Sequence, residues 1–126
     1  MFLKRSIEQS LGERGEDIAS QYLSKKGFTV VQRNFRIQGG EIDIIAQKAK
    51  ELIFVEVKTR SSEQFGHPEE GVTFSKCLRM RKAIRIFLRR YPSATLFRVD
   101  IIAVAIDRTL KKEIIHHIEN IDFPEV

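Results

Sequence analysis

One cysteine, Cys77, stands among the 126 residues, and a lone thiol excludes an internal disulfide framework. The opening Met1-Phe2-Leu3-Lys4-Arg5 lacks an apolar stretch of signal-peptide length, so a reducing, cytoplasmic setting is expected. Long apolar runs are missing too. The longest, Ile101 to Ile106, is strand-sized, against the roughly 20 residues a membrane helix needs, so no membrane partner is expected. There is no glycine-rich phosphate loop, no Cys-x-x-Cys, no His-Glu-x-x-His and no nucleophile elbow, which argues against nucleotide-loop, thiol-metal, zincin and serine-hydrolase chemistry. Repeats, linkers and low-complexity segments are also absent. One soluble domain over residues 1–126 is expected, large enough to fold without a covalent or metal staple.

What is present is a mixture of 42% hydrophobic and 31% charged residues with a net charge of +5, which points toward an anionic partner only if the charge is localised. The pattern predicts a helix over 10–26, with Leu11, Gly15, Ile18, Tyr22 and Leu23 on one stripe. Ser10 and Glu13 suit its start and Gly27 its end. Three extended segments follow, Phe28 to Ile37, Glu41 to Gln47 and Glu51 to Arg60, the first two separated by Gly39-Gly40. A polar stretch from Ser61 to Gly71, with Gly66 and Pro68, reads as a mobile loop that either closes over a strand of nucleic acid or merely connects. A second helix is predicted from about Ser75 to Tyr91, ended by Pro92, and then two strands, Leu96 to Ile106 and Glu113 to Ile118. The order α-β-β-β-α-β-β implies an α/β domain with a mixed β-sheet flanked by helices, the crossover helix covering one face.

Charges interrupt two of these strands where a core is expected. In Leu52-Ile53-Phe54-Val55-Glu56-Val57-Lys58 alternation puts Glu56 and Lys58 on the face of Leu52 and Phe54, and both faces read as buried. Buried charge is costly unless it has a partner, a metal or a function. The neighbouring strand carries Glu41 and Asp43 in the same way. If these strands form a hairpin centred between Ala49 and Lys50, Asp43 faces Glu56 and Glu41 faces Lys58; a one-residue slip would turn Asp43 to the other face. Opposed like charges repel, which suits a cation site better than a stabilising pair. Two carboxylates beside a lysine fit phosphoryl chemistry: hard oxygens take Mg²⁺ (or Mn²⁺), and Lys58 can position water or offset transition-state charge. On the first helix Glu16 lies at the margin of the buried stripe and can reach inward, whereas Asp17 points to solvent. The plain alternatives are an exposed Glu-x-Lys ion pair and an ordinary acid in a first helical turn.

The second helix is one-sided in charge. From Ser75 to Val99 there are eight basic residues and no acid, leaving 14 basic residues against 17 acidic ones elsewhere, a balance of −3. Cys77, Met80, Ile84, Phe87, Leu88 and Tyr91 share an apolar arc of about 100°, with Cys77 most simply a core residue. Opposite them lie Arg79, Lys82, Arg85, Arg89 and Arg90, which with Lys76 and Arg60 are candidate phosphate contacts. His116 and His117 point to opposite faces of their strand, so they are not expected to share a metal.

The ordered set Gly15-Glu16, Ala19, Tyr22-Leu23, Gly27, Arg33-Asn34, Gly40-Glu41-Ile42-Asp43-Ile44-Ile45-Ala46, Phe54-Val55-Glu56-Val57-Lys58-Thr59-Arg60, Phe65-Gly66-x-Pro68 and Val72-Thr73-x-x-Lys76 closely resembles the YraN family. These small bacterial proteins look like restriction-endonuclease-fold nucleases and are similar to archaeal Holliday-junction resolvases. The resemblance implies a restriction-endonuclease-like core and sets Asp43, Glu56 and Lys58 where that fold carries its D…E-x-K site, with Glu16 as the extra helix carboxylate. Ile42 replaces the proline that precedes the aspartate in the wider superfamily.

The expectation is therefore a Mg²⁺- or Mn²⁺-dependent endonuclease on DNA, including branched or junction DNA, for which a homodimer is a suitable form. Asp43, Glu56 and Glu16 would bind metal, and Lys58 would act on the attacking water. Two alternatives stay open: a noncatalytic nucleic-acid-binding module on the same fold, and a protein-interaction domain that meets an acidic partner through its basic helix.

Overall fold

A computed structural model describes residues 9–61, 73–93, 96–107, 109 and 111–126. Helix α1 (Leu11–Lys25) starts where the Ser10 hydroxyl accepts the Glu13 N–H at 3.1 Å. It ends in a reciprocal C-terminal motif. Phe28 N–H donates to the Leu23 carbonyl and Gly27 N–H to that of Ser24, with Gly27 at φ +91°, a conformation that a side chain would oppose.

Strands β1 (Thr29–Ile37), β2 (Gly40–Lys48) and β3 (Glu51–Arg60) form an antiparallel meander. Helix α2 (Phe74–Arg90) crosses over to β4 (Leu96–Asp107), which lies parallel to β3, and β5 (Lys112–Ile118) returns antiparallel at the edge. The protein is thus α/β, a five-stranded mixed sheet in the order β1-β2-β3-β4-β5, consistent with the restriction-endonuclease-like core. Helix α2 begins one residue earlier than the pattern predicts, because Thr73 caps it by accepting the Lys76 N–H at 3.1 Å. The expected loop at 61–71 and the opening five residues lie, except for Ser61, outside the described residues.

The helices cover opposite faces of the sheet. Under α1, Ile18, Ala19 and Leu23 pack on Ile44, Ile53, Val55, Val57, Ile102 and Val104. Under α2, Met80, Ala83, Ile84 and Phe87 pack on Ile42, Ile45, Leu52, Phe54 and Val99. Burying a side chain such as Phe87 contributes about 1.5–3 kcal/mol. The central strand β3 is buried on both faces from Leu52 to Val57, as its sequence implies. Two glycines let the layers close. A Cβ on Gly15 would fall 1.8 Å from Thr59 Oγ1 on β3, and one on Gly40 would fall 2.5 Å from the Arg79 carbonyl on α2. Cys77 departs from its expected place in the core: it is half-buried, and Ala83 takes the central position in the helix stripe. No described helix is long and apolar enough to cross a membrane.

Candidate active site

The site forms where β2 stops following the sheet rules. The β2–β3 hairpin has the expected register, Lys48 opposite Glu51 through Ile44 opposite Val55, and its turn is made by Ala49 at φ +54°. Past Ile44 the ladder ends. On the other side of β2, Asn34 of β1 adopts φ +51° between the pairs Arg33–Ile44 and Phe35–Ile42. Strict alternation would set Ile42 and Ile44 on one face. Ile44 instead packs under α1 and Ile42 under α2, so the strand twists through Asp43. Asp43 Oδ2 accepts the backbone N–H of Val57 at 2.8 Å, a charge-assisted bond that ties the loosened strand to β3. The expected opposition of Glu41 and Lys58 does not form, because Glu41 pairs with Arg36 of β1 at 3.3 Å instead.

Glu56 sits beside Asp43 with only 2% of its surface exposed. Burial, then the negative charge of Asp43, pushes its carboxyl up to about 7, against the relief given by Lys76. Lys76 reaches back from the first turn of α2 and its Nζ forms an ion pair with Glu56 Oε1. Lys58, on the same face of β3, lies against Lys76 as well, and burial followed by the Lys76 charge pulls its ammonium below the usual lysine range. For Lys76 burial works the other way, yet the hydrogen bond and charge of Glu56 outweigh it and hold this ammonium high. Two carboxylates and two lysines therefore cluster at the edge of the sheet break.

Glu16 approaches from α1, whose close contact at Gly15 and Thr59 brings the helix onto β3. Its carboxyl is raised, by burial and then by Asp43, against a hydrogen bond from Asn34 and the charge of Arg33. Arg33 Nη2 lies 3.7 Å from Glu16 and Nη1 lies 2.8 Å from Asp17, so both helix acids have a common cation. A bulge at Val31 explains why Arg33 faces α1, since it shifts the β1 register between Val30 and Gln32. Among the described residues no three His, Cys, Asp or Glu side chains converge enough to hold one ion. The convergence is the Asp43–Glu56 pair, with Glu16 within electrostatic reach of Asp43. That donor set fits a small hard dication, because Mg²⁺ commonly takes one or two carboxylates and completes its shell with waters and phosphate oxygens.

Arg79, Lys82, Arg85, Arg89 and Arg90 are exposed along α2. Lys82 Nζ lies over the β1–β2 turn, 3.0 Å from where a Cβ on Gly39 would fall, and Arg90 stands over the Phe35 ring at 5.6 Å. Arg60 ends β3, half-buried and one turn of the strand beyond Lys58. Arg98 does not join the basic face. It is held by Asp100 at 3.0 Å, Glu51 at 3.3 Å and Glu119 at 3.6 Å. Lys76, grouped by its sequence with the phosphate contacts, belongs spatially to the carboxylate pair. The Thr73-x-x-Lys76 cap fixes the backbone of that first turn, but nothing in the spacing shows that the Lys76 side chain reaches Glu56.

A second polar cluster, which sequence reasoning missed, braces β4 and β5 under α1. Asp100 is fully buried and accepts from Arg98 and from the Asn120 N–H at 2.9 Å. His117 Nε2 lies 2.7 Å from its Oδ2, and Nδ1 of the same ring lies 3.0 Å from the Tyr22 hydroxyl. Burial opposes the Asp100 charge, but these hydrogen bonds and Arg98 hold its carboxyl below the usual range. His116 points away and is exposed, so the two histidines do part to opposite faces.

Comparison with known proteins adds the lineage. The family model described as "Uncharacterised protein family UPF0102" matches residues 15–104. The chain is 38% identical to a UPF0102 protein of Chloroherpeton thalassium, covering 92% of this chain and 91% of the relative. It is 41% identical to one of Leifsonia xyli subsp. xyli, covering 90% and 97%. A relative from Caldanaerobacter subterraneus subsp. tengcongensis is 39% identical, covering 94% and 98%. Matches of this extent span both helices and the whole β1–β3 meander that carries Asp43, Glu56 and Lys58, and the chain belongs to the UPF0102 family, the YraN family that its motifs resemble.

Proposed function

We propose that this protein is a metal-dependent endonuclease that hydrolyses phosphodiester bonds in DNA, with branched or junction DNA as its substrate class. The observation that carries the reading is Glu56, a carboxyl buried in a core strand, beside a second carboxylate and next to a lysine on the same strand face. Such an arrangement lowers stability in the absence of a cation, and functional sites are where that cost is retained. Asp43 and Glu56 would hold Mg²⁺ or Mn²⁺, with Glu16 completing the outer carboxylate shell. The metal would supply Lewis acidity at the phosphate and a lowered pKa for water.

The residues of the chain do the rest. Lys58, whose ammonium is weakened by burial, is suited to orient the attacking water and to give or hold a proton as charge develops on the phosphate. Asp43, fixed by the Val57 N–H, keeps the carboxylate pair from swinging away. Arg79, Lys82, Arg85, Arg89 and Arg90 offer a row of cations to a phosphate backbone, and Arg60 extends it beside Lys58. A two-fold symmetric substrate would suit two copies of the chain.

A noncatalytic nucleic-acid-binding module is the second reading, favoured by the Lys76 ammonium already standing on Glu56. Linear, flapped and four-way-junction DNAs, each incubated with Mg²⁺ and with Mn²⁺, separate the two. Cleavage of the branched substrates in preference to linear duplex supports the nuclease; binding to all three without cleavage in either metal supports the module.

A further inference from the structure

Lys76 is an unusual occupant of this site. Its backbone is fixed by the Thr73 cap, and its side chain is the one on α2 that turns inward to an ion pair with a sheet residue, among the described residues. It joins Lys58, so two ammonium groups lie side by side against two carboxylates. Crowding a second lysine beside the first is unfavourable unless the carboxylates require a cation there. The Lys76 side chain is 34% exposed while that of Glu56 is 3% exposed, so the lysine has a path to solvent and the carboxylate does not.

We infer that Lys76 is a built-in counter-cation that holds Glu56 in the metal-free protein and competes with a divalent cation for the same carboxylate oxygen. This rests on the metal-site reading of Asp43 and Glu56. Charge bookkeeping supports it: with all four groups ionised, Asp43, Glu56, Lys58 and Lys76 sum to zero, so the ionised metal-free site is neutral without a bound ion. A dication that took Glu56 would displace the Lys76 ammonium toward solvent, on the side where α2 presents its other cations. Lys76 is then a positioning residue for Glu56, set against premature or nonspecific cation capture.

The sign of one measurement distinguishes this from a structural brace. A brace that shapes the site for metal would weaken binding when removed; a competing cation would strengthen it. Mn²⁺ affinity should be measured by calorimetry for the wild type, Lys76→Met, Lys76→Gln and the distant turn variant Lys50→Met. The expected result is about tenfold tighter Mn²⁺ binding in both Lys76 variants, and an unchanged value for Lys50→Met. Lys76→Gln keeps a hydrogen-bond donor for Glu56, which preserves the comparison if the Met variant does not fold. Equal or weaker Mn²⁺ binding by the Lys76 variants overturns the inference while leaving the metal site in place. Absence of Mn²⁺ binding in all four proteins removes both.

Discussion

Replacing Glu56 by Gln should stabilise the metal-free protein at high pH, although it removes an ion pair. The ordinary Glu value is 4.5 and burial beside Asp43 raises it to about 7, so the folded state holds this proton more tightly than the unfolded chain. Between those two values unfolding releases a proton, and stability falls as pH rises through the window. At ~1.4 kcal/mol per pK unit, the interval amounts to about 3 kcal/mol, fully lost above neutrality; the relief from Lys76 is already contained in it. Gln has the same shape and cannot ionise. Urea unfolding in the presence of a chelator should therefore give similar stabilities for wild type and Glu56→Gln at pH 5. At pH 8 the variant should lead by about 3 kcal/mol. Parallel pH profiles, or a variant less stable than wild type at pH 8, would refute the argument that burial and Asp43 dominate over Lys76.

Asp100→Asn should cost about 3 kcal/mol or more in urea unfolding at neutral pH, since it strips a fully buried carboxylate from Arg98 and His117; a loss under 1 kcal/mol would mean that the cluster is solvated. Because the Asp100 carboxyl is held below its ordinary 3.8, the stability it contributes is present above that pH and is lost on acidification through its lower folded value. Gly15→Ala should destabilise by about 1–3 kcal/mol through collision with Thr59, more than helix propensity returns; a stabilised variant would show that α1 sits farther from β3. If the five exposed cations of α2 each meet a phosphate, binding to duplex DNA should show a log-log salt slope of about −4.5, shallower by about 0.9 in Arg85→Gln. A slope near zero would move the anionic partner elsewhere.

Much of the fold was legible because local and long-range signals agree in it. Ser10 and Gly27 bracket α1 through backbone hydrogen bonds that the residue types dictate, and the α2 crossover accounts for the parallel β3–β4 pair. The hairpin register assumed from a turn centred between Ala49 and Lys50 also holds, although burial on both faces of β2 and β3 does not select it and Ala49 is a poor advertisement for its left-handed turn. What alternation could not show was the break at Asn34 and Asp43. Asn is the non-glycine residue best suited to a left-handed backbone, but a single Asn inside a strand does not mark where such a residue falls, and here it exchanges the faces of Phe35 and Ile42 relative to Arg33 and Ile44.

Charge was legible as a total and less so as pairs. The row on α2 emerged as expected, but Arg98 is neutralised by acids from three separate segments, Glu51, Asp100 and Glu119, which only the folded sheet brings together. Lys76 shows the same limit from the other side, since helical position alone does not reveal that a long side chain turns back to a buried carboxylate. The Tyr22–His117–Asp100 chain joins residues 95 and 17 positions apart, a separation that no local pattern encodes.

The central claim is that Asp43, Glu56 and Lys58 form one phosphodiester-hydrolysing site, and single-turnover cleavage of a four-way junction in Mg²⁺ tests it most directly. Lys58→Met, with its substrate affinity measured in parallel, should bind the junction about as well as wild type and cleave it roughly 10²–10⁴-fold more slowly, the usual contribution of a positioned proton-transfer group. Cleavage by Lys58→Met at the wild-type rate, or a wild type that binds the junction in Mg²⁺ and leaves it intact, would contradict the account.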